Sequence, residues 1–181
     1  EYIVHARINN NLVVDNDTIC EGEQPAPMVH DAAAITGGLG AGTYAYQWLM
    51  HSGSGAWNEV GGIDDQIDYS PGSLSDTTWF LRIVESGKCS DSSNHLQVIV
   101  QADIGNNIIE GGAAIGEACA ELSKDISGAA ANGGDNTVYA YLWQSSNTGS
   151  GSWADATAAN TGEAYLTEEL TDTTDYRRLV S

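Results

Sequence analysis

Tyr44-Ala45-Tyr46-Gln47-Trp48 returns 95 residues later as Tyr139-Ala140-Tyr141-Leu142-Trp143, and this repetition decides the fold. Within each copy, Tyr, Tyr and Trp alternate with smaller or polar residues, the period-2 pattern of a strand with one buried face. Working outward, each copy runs into a Gly/Ser hairpin ending in Trp, with Gly53-Ser54-Gly55-Ala56-Trp57 answered by Gly149-Ser150-Gly151-Ser152-Trp153. Tyr69, Leu74 and Asp76-Thr77-Thr78 then match Tyr165, Leu170 and Asp172-Thr173-Thr174, all at an offset of 96. Phe80, Arg82 and Val84 correspond to Tyr176, Arg178 and Val180. So many matches in one register mark a repeat of about 96 residues.

The same offset aligns Tyr2-Ile3-Val4-His5-Ala6-Arg7-Ile8 with Val98-Ile99-Val100-Gln101-Ala102-Asp103-Ile104, and both runs lead into Asn-rich turns. Residues 1–11 are therefore expected to be the closing strand of a preceding repeat, with Tyr2, Ile3, Val4, Ala6 and Ile8 as the inter-repeat strand. Residues 12–104 form the first repeat and 105–181 a second one lacking its last strand. Short strands separated by turns, such as Ser70-Pro71-Gly72, predict an all-β chain of tandem antiparallel β-sandwiches, with Trp48 and Trp143 as core tryptophans. Helical signals are weak, and only residues 116–127 have room for a turn or two.

Composition narrows the partners. The 181 residues carry 25 acidic and 6 basic side chains, a net charge of -19. Phosphate binding needs clustered Lys and Arg, so nucleic acid is excluded and an anionic membrane surface is disfavoured. No apolar run is long enough to span a bilayer. The chain opens without a basic segment leading into an apolar one, so any export signal is expected to have been removed or to lie outside it. No catalytic set emerges: His5, His30, His51 and His95 show no metal-ligand spacing, and Gly37-Gly38 and Gly61-Gly62 lack the Lys and helix of a phosphate loop. Enzymatic activity is not expected.

The order Cys20, Tyr46-Gln47-Trp48, Tyr69-Ser70-Pro71-Gly72-Ser73-Leu74, Thr77-Thr78-Trp79-Phe80-Leu81-Arg82, Cys89, Ser93-Asn94 resembles the immunoglobulin-like tandem repeats of large Bacteroidota surface proteins, of which SprB-type gliding-motility adhesins are examples. The resemblance implies type IX secretion, display on the cell surface as extracellular filaments, and no catalysis. It also implies a disulfide between Cys20 and Cys89, which occupy the paired positions of such repeats. That cross-link would contribute about 4 kcal/mol and requires an oxidising compartment. Cys119 aligns with Cys20 and is expected to be unpaired.

Other candidates are weighed against structural roles. Asp64, Asp65 and Asp68 read as a solvated acidic face, the competing reading being a weak Ca2+ site; no other cofactor is implied. Asn16 and Thr18 lie in a glycosylation sequon. Arg82 and Arg178, in a chain short of cations, are each expected to pair with a carboxylate of their own domain. Expected partners are neighbouring copies of the chain or adjacent repeats of one polypeptide, reached by a completed or a donated β-strand. The alternative is a glycan-binding module in which Trp57 and Trp153 at the hairpin tips stack on surface glycans.

Overall fold

A computed structural model describes residues 2–109, 116, 119–135, 137–157 and 159–181. Every regular element among them is a strand: β1 (Ala6–Asn9), β2 (Val13–Val14), β3 (Asp17–Cys20), β4 (Val29–His30), β5 (Thr36–Gly38), β6 (Ala45–Ser52), β7 (Asn58–Glu59), β8 (Thr78–Ser86), β9 (Cys89–Ser92), β10 (Leu96–Gly105), β11 (Asp125–Ile126), β12 (Asn132–Gly134), β13 (Tyr141–Asn147), β14 (Ala154–Asp155), β15 (Tyr165–Leu166) and β16 (Thr174–Val180). The segment allowed a helical turn holds β11 and no helix among its described residues. The chain divides into two compact units, Glu1–Gln101 and Ala102–Ser181.

In the first unit β8 is the central strand. It pairs antiparallel with β6 from Ala45↔Glu85 to Ser52↔Thr78. Its other edge takes β10 through Thr78 to Phe80 and β9 through Ile83 to Ser86. β7 extends the sheet beyond β6, and β3 runs parallel to β10. Alternation sends Trp48, Phe80, Leu96 and Val98 to one face, where they join Val13, Met28, Val60 and Tyr69 in the main core. Trp48, Phe80 and Val98 have no exposed surface. A smaller cluster at the other end joins Ile8, Ile35 and Val84.

That smaller cluster corrects the expectation for the opening residues. β1 pairs with β5, Ala6 opposite Gly38 and Asn9 opposite Thr36, and Ile8 is buried against Ile35 and Val84. Ala6 and Ile8 thus belong to the first unit, because a buried Ile and a strand pairing hold them there. Tyr2, Ile3 and Val4 remain 99%, 77% and 90% exposed.

The second unit repeats the plan with a thinner core. β13 pairs with β16 from Tyr141↔Val180 to Asn147↔Thr174, β14 flanks β13, and β11 pairs with β15. Residues 102–105 of β10 pair with β12, as β1 pairs with β5. The core consists of Trp143, Ala156 and Tyr165, with Ile109, Ile126 and Tyr176 packed against it. Trp lies opposite Arg in both units, Trp48↔Arg82 and Trp143↔Arg178. The one-residue change in offset, from 95 at Trp143 to 96 at Gly149, therefore falls in the turn after β13, at Thr148.

Strand β1 reaches β5 only because the facing residue has no side chain. A Cβ at Gly37 would lie 1.9 Å from the Arg7 carbonyl oxygen, and one at Gly133 would lie 2.0 Å from that of Asp103. Both glycines have positive φ, 91° and 84°. The glycine pairs at 37–38 and 133–134 thus serve close backbone approach.

Candidate functional site

The repeated feature with the most chemistry is a buried guanidinium in each unit. Arg82 is fully buried on β8. Its Nε and Nη2 both donate to Asn11 Oδ1, at 3.0 and 2.8 Å, and it donates further to the carbonyls of Ile67 and Leu12. Nη2 also lies 3.1 Å from His30 Nδ1. The rings of Tyr46 and Trp48 flank it at 5.6 and 5.7 Å. Burial pulls the Arg82 pKa below the ordinary arginine range, opposed by Tyr46 and Asp68.

Arg178 repeats the arrangement. It donates to Asn107 Oδ1 at 2.8 Å and to the carbonyls of Glu163 and Ala129, beside Tyr141 and Trp143. The expected carboxylate partner is thus corrected to an amide. An Asn oxygen accepts two N–H groups without bringing a second charge into the core, which avoids desolvating an ion pair. These asparagines sit in the Asn-rich turns, beside Asn10 and Asn106, which have positive φ and donate to the carbonyls of Ala34 and Ala130. Their role was missed, although Asn11 to Arg82 and Asn107 to Arg178 are both 71 residues apart.

The structure separates the two expected disulfide partners. Cys20 on β3 is paired with Gln101, past the Thr78 end of β8, whereas Cys89 is paired with Ser86 at its far end. At ~3.3 Å per residue, β8 alone sets them roughly 26 Å apart, while a disulfide needs Cα atoms within about 7 Å. Cys20, Cys89 and Cys119 are all free thiols, and Cys89 Sγ lies 3.7 Å from the Ala6 carbonyl.

Nor are the three aspartates gathered. Asp68 Oδ1 accepts the His30 amide, Asp65 Oδ1 accepts from Gln66, and the main-chain oxygen of Asp64 accepts the Trp48 amide. Among the described residues no group of three His, Cys, Asp or Glu is arranged to hold a metal. Asn16 and Thr18 are exposed, with Asn16 Oδ1 accepting the Gln97 amide. The hairpin tryptophans are engaged by their own units. Trp57 packs against His51 and His95 at 4.4 and 5.0 Å, and Arg177 covers Trp153 at 4.5 Å.

The strand edges differ between units. In the first, β8 is paired on both edges. In the second, β16 pairs with β13 alone among the described residues. Beside it runs an open groove lined by Ser145, Tyr165, Leu170, Thr174 and Tyr176. β10 serves both units: residues 96–101 close the first and residues 102–105 open the second.

Residues 9–102 and 111–181 each match the family described as Domain of unknown function (DUF8696). The chain belongs to this family. Its two copies of the DUF8696 domain correspond to the two units. The fold is similar to a crystal structure of domains from titin, with a TM-score of 0.52 at 12% identity, over 98% of this chain and 60% of that one. The likeness shows the fold, tandem immunoglobulin-like β-sandwiches. The chain thus spans about three fifths of the structure it matches. No curated protein matches it. No helix of the described residues is long and apolar enough to cross a membrane.

Proposed function

We propose that the chain is a structural repeat segment of an extracellular filament or surface adhesin stalk, in which successive sandwiches join end to end through β-strands. The observation that carries this reading is β10. Its residue Gln101 ends one sandwich and Ala102 begins the next, so one strand supplies the closing edge of one unit and the opening edge of the other. Residues 2–4 precede β1 as residues 98–100 precede residues 102–105, which fits the same junction on the amino-terminal side.

The acidic surface suits a long array, because like charge discourages lateral clumping. With all three thiols free, display outside the cell rests on the resemblance to Bacteroidota surface repeats, with gliding motility and type IX secretion as its context. Biotinylation of intact cells with a membrane-impermeant reagent should label the protein; label appearing only after lysis would overturn the reading. Mass measurement under denaturing, reducing conditions separates the two joining routes. One long polypeptide indicates covalent tandem repeats, and subunits near 19.0 kDa indicate strand donation.

A further inference from the structure

The outer face of the first unit's sheet carries a row of four planar rings. Trp48 and Met50 of β6 pack in and against the main core, so alternation turns His51 to the outer face. On β8, Trp79 lies between the buried Thr78 and Phe80 and turns outward as well, directly opposite His51. These two rings stack at 5.1 Å with 5° between their planes. Trp57 meets His51 edge to face at 4.4 Å, and His95 lies 5.0 Å from Trp57. His51, Trp57 and Trp79 are half-buried and His95 is exposed.

The fold does not require this row. Where the first unit has His51 opposite Trp79, the second has Ser146 opposite Asp175, and its strands pair in the same way. Trp153, the counterpart of Trp57, is covered instead by the Arg177 guanidinium at 4.5 Å, which Gln144 Oε1 holds through two hydrogen bonds. The polar edges of the rings are also unused. Both core tryptophans donate their indole N–H to a carbonyl, Trp48 to Gln66 and Trp143 to Gly162. Trp57 and Trp79 have no such acceptor among the described residues, and their Nε1 atoms stay open to solvent. His51 Nδ1 is buried without a partner. An orphaned acceptor is tolerated better than an orphaned N–H, so the neutral ring carries its proton on Nε2, which water can reach.

We propose that this row binds a neutral oligosaccharide, with an apolar pyranose face stacked on the rings and hydroxyl oxygens accepting from the Trp57, Trp79 and His51 N–H groups. Aromatic area combined with a few unengaged polar groups is the chemistry of a site that orients such a ligand. Charge selects the class. The row carries no carboxylate and presents the positive ends of N–H bonds, which disfavours a cation, and a chain of net charge -19 repels an acidic sugar. The site is independent of how the units are joined.

Calorimetric titration of the full chain with neutral β-linked hexasaccharides of glucose, xylose and mannose tests this. Saturable binding of at least one is expected, and none of the glucose hexamer oxidised to carboxylates at its primary hydroxyls. Trp57→Ala should weaken binding at least about tenfold, ~1.4 kcal/mol. His51→Ser with Trp79→Asp installs the pair that the second unit itself carries, so binding should disappear while the urea transition stays cooperative. Trp153→Ala should leave the affinity unchanged. The proposal is overturned if no neutral hexamer binds, if the carboxylated one binds equally well, or if affinity survives in both cluster variants. Self-association of the parent by light scattering, lost in the His51 and Trp79 double variant and unaccompanied by sugar binding, would assign the row to a contact between copies and overturn it too.

Discussion

Arg82 places Nε and Nη2 on the single side-chain oxygen of Asn11, at 3.0 and 2.8 Å, and thereby fastens the turn after β1 to the centre of β8. Asn11 returns the contact by donating to the carbonyls of Arg82 and Asp91, at 3.3 and 3.0 Å. One neutral side chain thus connects the opening strand to two strands of the main sheet. Truncating the guanidinium in Arg82→Met leaves Asn11 Oδ1 and the Ile67 carbonyl without this donor, while the Leu12 carbonyl keeps the Asp31 amide. A loss of about 1–3 kcal/mol is expected for each group left buried and unpaired, read from the urea midpoint. Arg82→Lys should recover little, since a single ammonium cannot reproduce the fork. An unchanged midpoint in Arg82→Met would count against this role.

Gly37→Ala should release β1 from β5. The added carbon meets the Arg7 carbonyl at 1.9 Å and the backbone has φ of 91°, so clash and strain act together. Gly40 supplies the control, with φ of 97° and no atom within 4 Å of the added carbon. Gly40→Ala should cost about 1 kcal/mol of backbone strain, and Gly37→Ala clearly more. Hydrogen exchange at residues 6–9 distinguishes them: only Gly37→Ala should lose protection there.

Thiol chemistry gives a direct check on the cysteines. Non-reducing denaturation with a thiol reagent should label three cysteines per chain. In the native protein Cys20 and Cys119 should react first, being exposed, and half-buried Cys89 later. Cys20→Ser should change stability by no more than about 0.5 kcal/mol, as for an ordinary surface substitution. A native tryptic peptide linking Cys20 to Cys89 would refute the separation of these strands.

Stability should fall at alkaline pH. Burial raises the Tyr69 pKa, helped by Asp64, and burial raises that of Tyr176, helped by Tyr165 and Glu168. A raised folded-state value means that the folded chain holds its proton where the unfolded chain has lost it. The stabilising contribution is therefore full below the ordinary phenol value of about 10 and is lost as pH rises through the folded value. Urea midpoints should decline above that point, and Tyr69→Phe should flatten the decline. A decline as steep in Tyr69→Phe as in the parent would show that this phenol is not responsible.

The 96-residue register, the all-β class and the two core tryptophans were legible in the residues themselves. Side-chain alternation along a strand is a local property, and a repeated domain prints it twice, as at Trp48 and Trp143. Only the tertiary structure decided which strands meet. Ala6 and Ile8 align with β10 but pack in their own unit, because Gly37 lets β1 approach and Ile35 covers Ile8. Cys20 and Cys89 follow the order of a paired repeat yet sit at opposite ends of β8, because register, not order along the chain, sets the distance. Arg82 met an amide from 71 residues away rather than one of the 25 carboxylates, since a buried cation needs acceptors whose own desolvation costs little. Periodicity determined what each segment becomes; long-range packing determined its partner.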